Sequence, residues 1–327
     1  MKKQLRTFGL VNVIVSILFL SVAAWLFINR QTVVDWWRLQ TYEPPAAIVA
    51  LTDKTVMTDQ GRNLFFASQP SIEQAGQFNQ HCTNQHEQSI VLGCYRAQQI
   101  YLFDVTDERL SGVKEVTAAH EMLHAAYERL DNAEKQRVNS LLTTQLDAIT
   151  DTRILGLIEL YNQHNPSELY NEMHSILATE YRDLSSELET YYKQYFADRL
   201  AVVALSQKYE SVFNESKKRI ETMDAQLNTY KNQINTNNAE LERRQVLLQA
   251  EAERLLRLRN QQRYNEYNQA IPGYNAQVRD FNALVEATEG LVSAHNELVK
   301  QRNNEEAAQA NLYQSLDSRY QEVPQTN

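Results

Sequence analysis

The residues of this chain best placed to do chemistry are His120, Glu121 and His124, which stand as His-Glu-x-x-His within the run from Val116 to Leu130. That run contains neither Gly nor Pro, so it reads as one helix. Two imidazoles four residues apart lie one above the other on a helix face, about 6 Å apart at 1.5 Å rise per residue. Two ligands of a single tetrahedral Zn2+ need that placement. Glu121 sits one residue round the helix, where its carboxylate can take a proton from a metal-bound water without occupying the metal. The implied chemistry is metal-assisted hydrolysis with His120 and His124 as ligands, Glu121 as general base and one zinc ion per chain.

Thr117, Ala118 and Ala119 before the motif, Met122 and Leu123 within it, and Ala125 and Ala126 after it are all uncharged, as expected of a helix buried beneath an active-site floor. On these residues the stretch resembles the zincin metallopeptidases, whose longer consensus has uncharged residues there. Within that clan, metzincins place Gly three residues after the second His and a further His three residues later, where this chain has Tyr127 and Leu130. The gluzincin branch takes its third ligand, a Glu, from a second helix further along.

Two carboxylates qualify. Asn165-Pro166-Ser167-Glu168 predicts a helix start, and Leu169, Met173, Ile176 and Leu177 then form an apolar stripe with Glu172 and Glu180 on or beside it. A carboxylate on a buried face needs a cation or a donor. A helix delivering Glu to zinc must approach the His helix closely, which favours a small residue one turn on: Glu172 has Ser175 there, Glu180 has Asp183. Asn171-Glu172-x-x-Ser175 also resembles the Asn-Glu-x-x-Ser segment of thermolysin-like gluzincins, with Ile176 where that family keeps an Asp. Glu172 is the expected third ligand and Glu180 its alternative. Amphipathic helices expected over residues 132–149 and 151–163 would form an inserted pair between His124 and Glu172.

The elements that must position these groups are read less directly. Residues 47–51, 89–92 and 99–105 are expected as short strands, with a helix over 58–68 between them. By the resemblance, an edge strand of a small sheet aligns extended substrate, and Ile100-Tyr101-Leu102-Phe103-Asp104-Val105 is the expected candidate; a buried structural strand is the competing reading. Residues 185–196 bring Leu188, Tyr191, Tyr192, Tyr195 and Phe196 at helical spacing, which predicts core, with one Tyr or His174 as candidate donor to the oxyanion. Cys82 and Cys94, the only two cysteines, are expected as a disulfide, with free thiols or a second zinc site shared with His81 and His86 as alternatives.

Residues 8–28 carry no charge, enough for a helix to cross a bilayer core of roughly 30 Å. They are expected as an uncleaved transmembrane anchor, with a cleaved signal peptide as the competing reading. Lys2, Lys3 and Arg6 precede the span, while Arg30 and Arg38 after it are balanced by Asp35, so the positive-inside bias puts the N-terminus in the cytoplasm of a prokaryote. Trp36 and Trp37 fit either the headgroup layer or a core pair. The formal charge of -9 and the lack of a Gly-rich phosphate loop argue against nucleic-acid partners. Eight Gly and six Pro in 327 residues predict long uninterrupted helices.

From about residue 200 the pattern becomes heptad. Phe213, Ile220, Leu227, Ile234, Leu241, Leu248 and Leu255 recur every seven residues, with Met223, Tyr230 and Leu258 on a second row that Asn237, Arg244 and Glu251 interrupt. A second array of the same period runs through Tyr267, Tyr274, Phe281, Thr288 and His295. Together they predict an antiparallel helical hairpin reversing near Pro272-Gly273; one continuous helix, or a reversal at residues 235–238, are the alternatives. His295 is expected in the seam, and Arg254, Arg257, Arg259 and Arg263 on a solvated face.

The whole reads as an α+β, mostly α protein: a cytoplasmic tip and transmembrane helix over 1–30, a zincin-like catalytic domain with a short sheet over 31–199, a coiled-coil hairpin over 200–318 and a disordered tail over 319–327. The expected function is a membrane-anchored, extracytoplasmic zinc peptidase acting on peptide or protein substrates near the envelope. The coiled coil would serve a partner or homo-oligomer. The rival is a tethered, non-enzymatic coiled-coil scaffold with a vestigial metal site.

Overall fold

The computed structural model describes residues 2–82 and 90–319. The chain is mostly helical: α1 (Lys2–Ile28), α2 (Arg30–Thr41), α3 (Ala46–Lys54), α4 (Asp59–Ala67), α5 (Ala75–His81), α6 (Val113–Arg129), α7 (Asn132–Leu146), α8 (Thr152–His164), α9 (Leu169–Glu180), α10 (Ser186–Tyr192), α11 (Arg199–Asn260) and α12 (Tyr264–Leu316). Three short strands, β1 (Ser71–Glu73), β2 (Gly93–Arg96) and β3 (Gln99–Phe103), make a three-stranded sheet. The chain divides into two compact units, Phe213–Asn311 and the remainder.

In the first unit the His helix α6 is the central element, packed against α9, α3, α4 and the sheet. Gly112 caps its start with φ 110°, a left-handed conformation that side chains rarely adopt, and a Cβ there would stand 2.9 Å from the Leu205 carbonyl oxygen. Ala118, Ala119, Met122, Leu123 and Ala125 are fully buried, so α6 lacks the polar face of a surface helix. Truncating Met122 or Leu123 to Ala costs about 2–5 kcal/mol at such sites. Capping fixes the flanking helices. Asp131 and Glu134 form a reciprocal capping box on α7, and the Asp151, Ser185 and Thr58 side chains accept from the first turns of α8, α10 and α4.

The sheet order is β1-β3-β2, with β1 and β3 parallel and β2 and β3 antiparallel. The strand expected over 99–105 is therefore β3, but it is central, so its expected place at the sheet edge is corrected. The edge nearest α6 is β2. The strand expected over 89–92 lies later in the chain: Ser89 is outside the described residues, Ile90 to Leu92 are irregular, and pairing begins at Gly93. Residues 47–51 belong to helix α3 instead of a strand, with Ile48, Leu51 and Thr52 buried at helical spacing. A short apolar run satisfies either period, and here Pro45 at the N-cap followed by two alanines decides for helix. The helix over 58–68 is α4, as expected.

The expected helix start at Asn165 is also corrected. Asn165 closes α8, residues 166–168 form a turn with Glu168 N–H donating to the Asn165 carbonyl, and α9 begins at Leu169. At the other end of α9 the buried Arg199 donates to the carbonyls of Leu177, Ala178, Tyr181 and Arg182 while pairing with Glu189. A guanidinium is thereby spent on the helix's orphan carbonyls, and α9 is fixed in place.

Among the described side chains no single helix is both long and apolar enough to cross a membrane. Residues 15–28 of α1 and all of α2 reach that standard only together, across a 75° bend. Trp36 and Trp37 are exposed, which removes the reading of them as a core pair.

The second unit is an antiparallel helix pair. Every position of the two heptad rows from Phe213 to Leu258 is buried or half-buried, including the interrupting Asn237, Arg244 and Glu251. Cross-pairs step back symmetrically from the turn: Arg244 to the Asp280 carbonyl, Asn237 to Thr288, Arg302 to Asp224, and Ser216 and Arg219 to Glu305. The reversal falls at residues 261–263, not at Pro272-Gly273. Gln262 takes φ 56°, its N–H donates to the Arg259 carbonyl and that of Arg263 to the Leu258 carbonyl, which is a Schellman ending. Pro272 lies inside α12. His295 is half-buried at its heptad position. Of the expected tail, only Arg319 lies among the described residues.

Candidate metal centre

α6 and α9 bring His120, His124 and Glu172 together. The two Nε2 atoms are 3.0 Å apart, and Glu172 places Oε2 3.7 Å from His120 Nε2 and Oε1 3.7 Å from His124 Nε2. Ligands at about 2.05 Å on a tetrahedral zinc are roughly 3.3 Å apart, so one ion fits this triangle. Among the described residues these three are the one His/Cys/Asp/Glu group so disposed, all their ligand atoms lying within 4.8 Å of one another.

The imidazole of His124 is oriented by a chain of hydrogen bonds. Asn171 Nδ2 donates to Glu168 Oε2 at 3.2 Å, which leaves Asn171 Oδ1 to accept from His124 Nδ1–H at 3.0 Å. With its proton on Nδ1, neutral His124 turns a bare Nε2 lone pair toward His120 and Glu172. Second-sphere partners of metal-binding histidines do the same. Ile176, which stands where the gluzincin pattern has an acid, is buried in the core.

Burial raises the Glu172 carboxyl, but the adjacent His120 and His124 imidazoles, when protonated, and the Tyr161 hydroxyl outweigh it and hold the group below the usual carboxylate range. The site is thus built to keep Glu172 ionised. Glu180 lies two helical turns on and is engaged elsewhere, 2.6 Å from Arg153 Nη1. The alternative third ligand is therefore corrected: a neighbouring cation already balances it.

The triangle opens into a cleft of about 590 Å³ lined by α6, α8, α9 and the segment from Ile90 to Arg96. Glu121 is buried and lines the same cleft. Strand β2 crosses it closely at Gly93, where a Cβ would stand 2.5 Å from Thr117 Cγ2 and 2.9 Å from Glu121 Oε1. Cys82 and Cys94 are disulfide-bonded, tying this edge strand to the end of α5 and removing the free-thiol and second-zinc readings. His81 pairs with Glu73 at 2.9 Å, and His86 lies outside the described residues.

His174 and the tyrosine cluster are core. His174 is fully buried, with Nε2 3.0 Å from the Tyr191 hydroxyl and its carbonyl accepting from Tyr192. Burial, with the His124 and His120 charges, pushes its imidazole down to about 3. Neither His174 nor any tyrosine of residues 191–195 lines the cleft, so their expected role as oxyanion donors is corrected. The cleft's tyrosines are Tyr95, Tyr161 and Tyr209. Tyr161 had a legible signal, since it ends the stripe Ile154, Leu157, Ile158, Tyr161 of α8. Comparisons with protein families, characterised proteins and solved structures give no match for this chain.

Proposed function

We propose that this chain is a membrane-anchored zinc peptidase. The observation that carries the reading is the His120, His124 and Glu172 triangle with Glu121 in the same cleft. A bound zinc ion would acidify water toward a pKa of about 7 and polarise the scissile carbonyl. His120, His124 and Glu172 would hold the ion, Asn171 would fix the His124 tautomer, and Glu121 would accept a proton from the attacking water and return it to the leaving amine. An extended peptide pairs along the outer edge of β2, which has no strand partner among the described residues and runs along the cleft. A donor to the reacting carbonyl would come from the tyrosines that line the cleft, Tyr95, Tyr161 and Tyr209.

The uncharged run 8–28 in α1 is the proposed anchor, its side chains from Val15 to Ile28 being largely exposed. The preceding lysines and arginine support a catalytic unit outside the cytoplasm by the positive-inside bias, a location that suits the disulfide. Substrates are then envelope or membrane-proximal proteins, with the hairpin as partner dock or oligomerisation device. Elemental analysis of the full chain in detergent tests the assignment. About one zinc per wild-type chain is expected, lost in His120→Ala and in Glu172→Ala, and kept in Glu180→Ala and in Glu121→Gln with peptide cleavage abolished. A metal-free wild type overturns the peptidase and leaves the tethered scaffold.

A further inference from the structure

Helix α2 has two faces of opposite character. Gln31, Asp35 and Arg38 recur at helical spacing on the side that packs against the rest of the first unit. Asp35 pairs with Arg129 at 2.9 Å, Arg38 Nη1 donates to the Ala67 and Gln98 carbonyls, and Gln31 accepts from Gln98. Arg129 is the last residue of α6, and it also donates to the Tyr95 hydroxyl on β2. Hydrogen bonds therefore run without a break from α2 to the His helix and the cleft's edge strand.

The other face is uncovered, and Val34, Trp36 and Trp37 are its exposed apolar residues. Two residues on from Asp35 is about 200° round a helix, so Trp37 projects away from the docked face, and Trp36 lies beside it. Trp36 is 63% exposed and Trp37 58%. Between the charged Arg30 and the end of α2 the only charges are Asp35 and Arg38, both turned inward onto their partners. The patch is continuous in sequence with the exposed Trp25, Phe27 and Ile28 of α1, and the chain turns by 75° between them. A bend of that size lays a helix across the direction of the one before it. Indoles concentrate where apolar lipid meets headgroups, and a helix lying in the interface buries one apolar face and leaves the other wet.

We propose that α2 is an interfacial helix whose Trp36 and Trp37 face sits in the headgroup layer of a phospholipid bilayer, so that the Asp35–Arg129 contact holds the metal helix at a fixed height and tilt above the membrane. This rests on the reading of α1 as an anchor. The three tryptophans of the chain are Trp25, Trp36 and Trp37, so Trp25→Phe leaves only the α2 pair as fluorophores. The full-length variant is reconstituted into phosphatidylcholine vesicles and floated on a density gradient, and its emission is read with nitroxide quenchers in the headgroup or deep in the acyl chain. Blue-shifted emission, quenched strongly by the headgroup probe and weakly by the deep one, is expected. A chain that floats but emits as a water-exposed indole without quenching overturns the interfacial helix and spares the anchor. Stronger quenching by the deep probe also overturns it, placing α2 within the span. A chain that fails to float removes both.

Discussion

Replacing Asn171 with Ala should weaken zinc binding by 10–100-fold, or about 1.4–2.7 kcal/mol, without touching a ligand. The magnitude follows from the hydrogen-bond chain. His124 is only 9% exposed, so losing the 3.0 Å contact to Asn171 Oδ1 orphans a buried N–H. One neutral hydrogen bond contributes about 0.5–1.5 kcal/mol, and more where the donor ring carries part of a cation's charge. The tautomer is also freed, and the competing form puts its proton on Nε2, into the 3.0 Å gap facing His120. Asn171→Asp keeps an acceptor for His124 but sets a carboxylate where the amide now donates to Glu168, so recovery should need the double variant with Glu168→Gln. Competition with a chromophoric chelator, on the full chain in detergent at one pH, gives the affinities. If Asn171→Ala binds within about twofold of wild type while Glu172→Ala loses the ion, the orienting role assigned to Asn171 is wrong.

Two further outcomes test other parts of the structure. Gly93→Ala puts a methyl against Thr117 and the Glu121 carboxylate, so zinc stoichiometry should hold while kcat falls by about 10² or more, because the displaced group is the proposed proton acceptor; unchanged kcat would mean that β2 yields freely at this point. In the hairpin, hydrogen bonds from Arg243 and Arg244 bring the Glu240 carboxyl down to about 2, and Arg219 and Ser216 lower Glu305. A folded-state value below the unfolded one, about 4.3, makes the contribution complete above that pH and progressively lost as pH falls toward about 2. Helix melting followed by circular dichroism should therefore show an acid slope in that window, shallower in Glu240→Gln with Glu305→Gln, and an unchanged slope would assign the acid sensitivity to other groups.

What was legible in the sequence was whatever repeats or is strictly spaced. The heptads gave the two hairpin arms because each seam position, even Asn237, Arg244 and Glu251, obeys one period. The turn was not legible, because a Schellman ending usually advertises itself with Gly at the left-handed position and here Gln262 takes it. Pro272, a stronger breaker on paper, is absorbed into a long helix held by its partner arm. Strand assignments failed at Ala46–Lys54 for a related reason: a short apolar run fits both periods, and only the N-cap and the tertiary contacts separate them. Arg199 left no trace, since a basic residue at the start of a long helix gives no sign that it caps the Leu177 and Ala178 carbonyls of α9.

At the site, the choice of Glu172 over Glu180 was legible because helix approach is steric: fully buried Ser175 lies one turn beyond Glu172. That Arg153 would claim Glu180 needed the fold. The significance of the Asn171-Glu172 pair also emerges only in three dimensions. Neighbours on a helix point about 100° apart, so the two side chains cannot reach the same atom of one ring. Asn171 reaches Nδ1 of His124 and Glu172 faces Nε2, bracketing the imidazole from either side. One residue thus sets which nitrogen carries the proton while the next occupies the space opposite the freed lone pair. A Gln at position 171 would carry the same amide about one bond too far, and a swap of the two residues would send the charge to the wrong nitrogen. The adjacency itself is therefore a structural requirement of the triangle, and it accounts for an oriented His124 in a chain that has Ile at position 176.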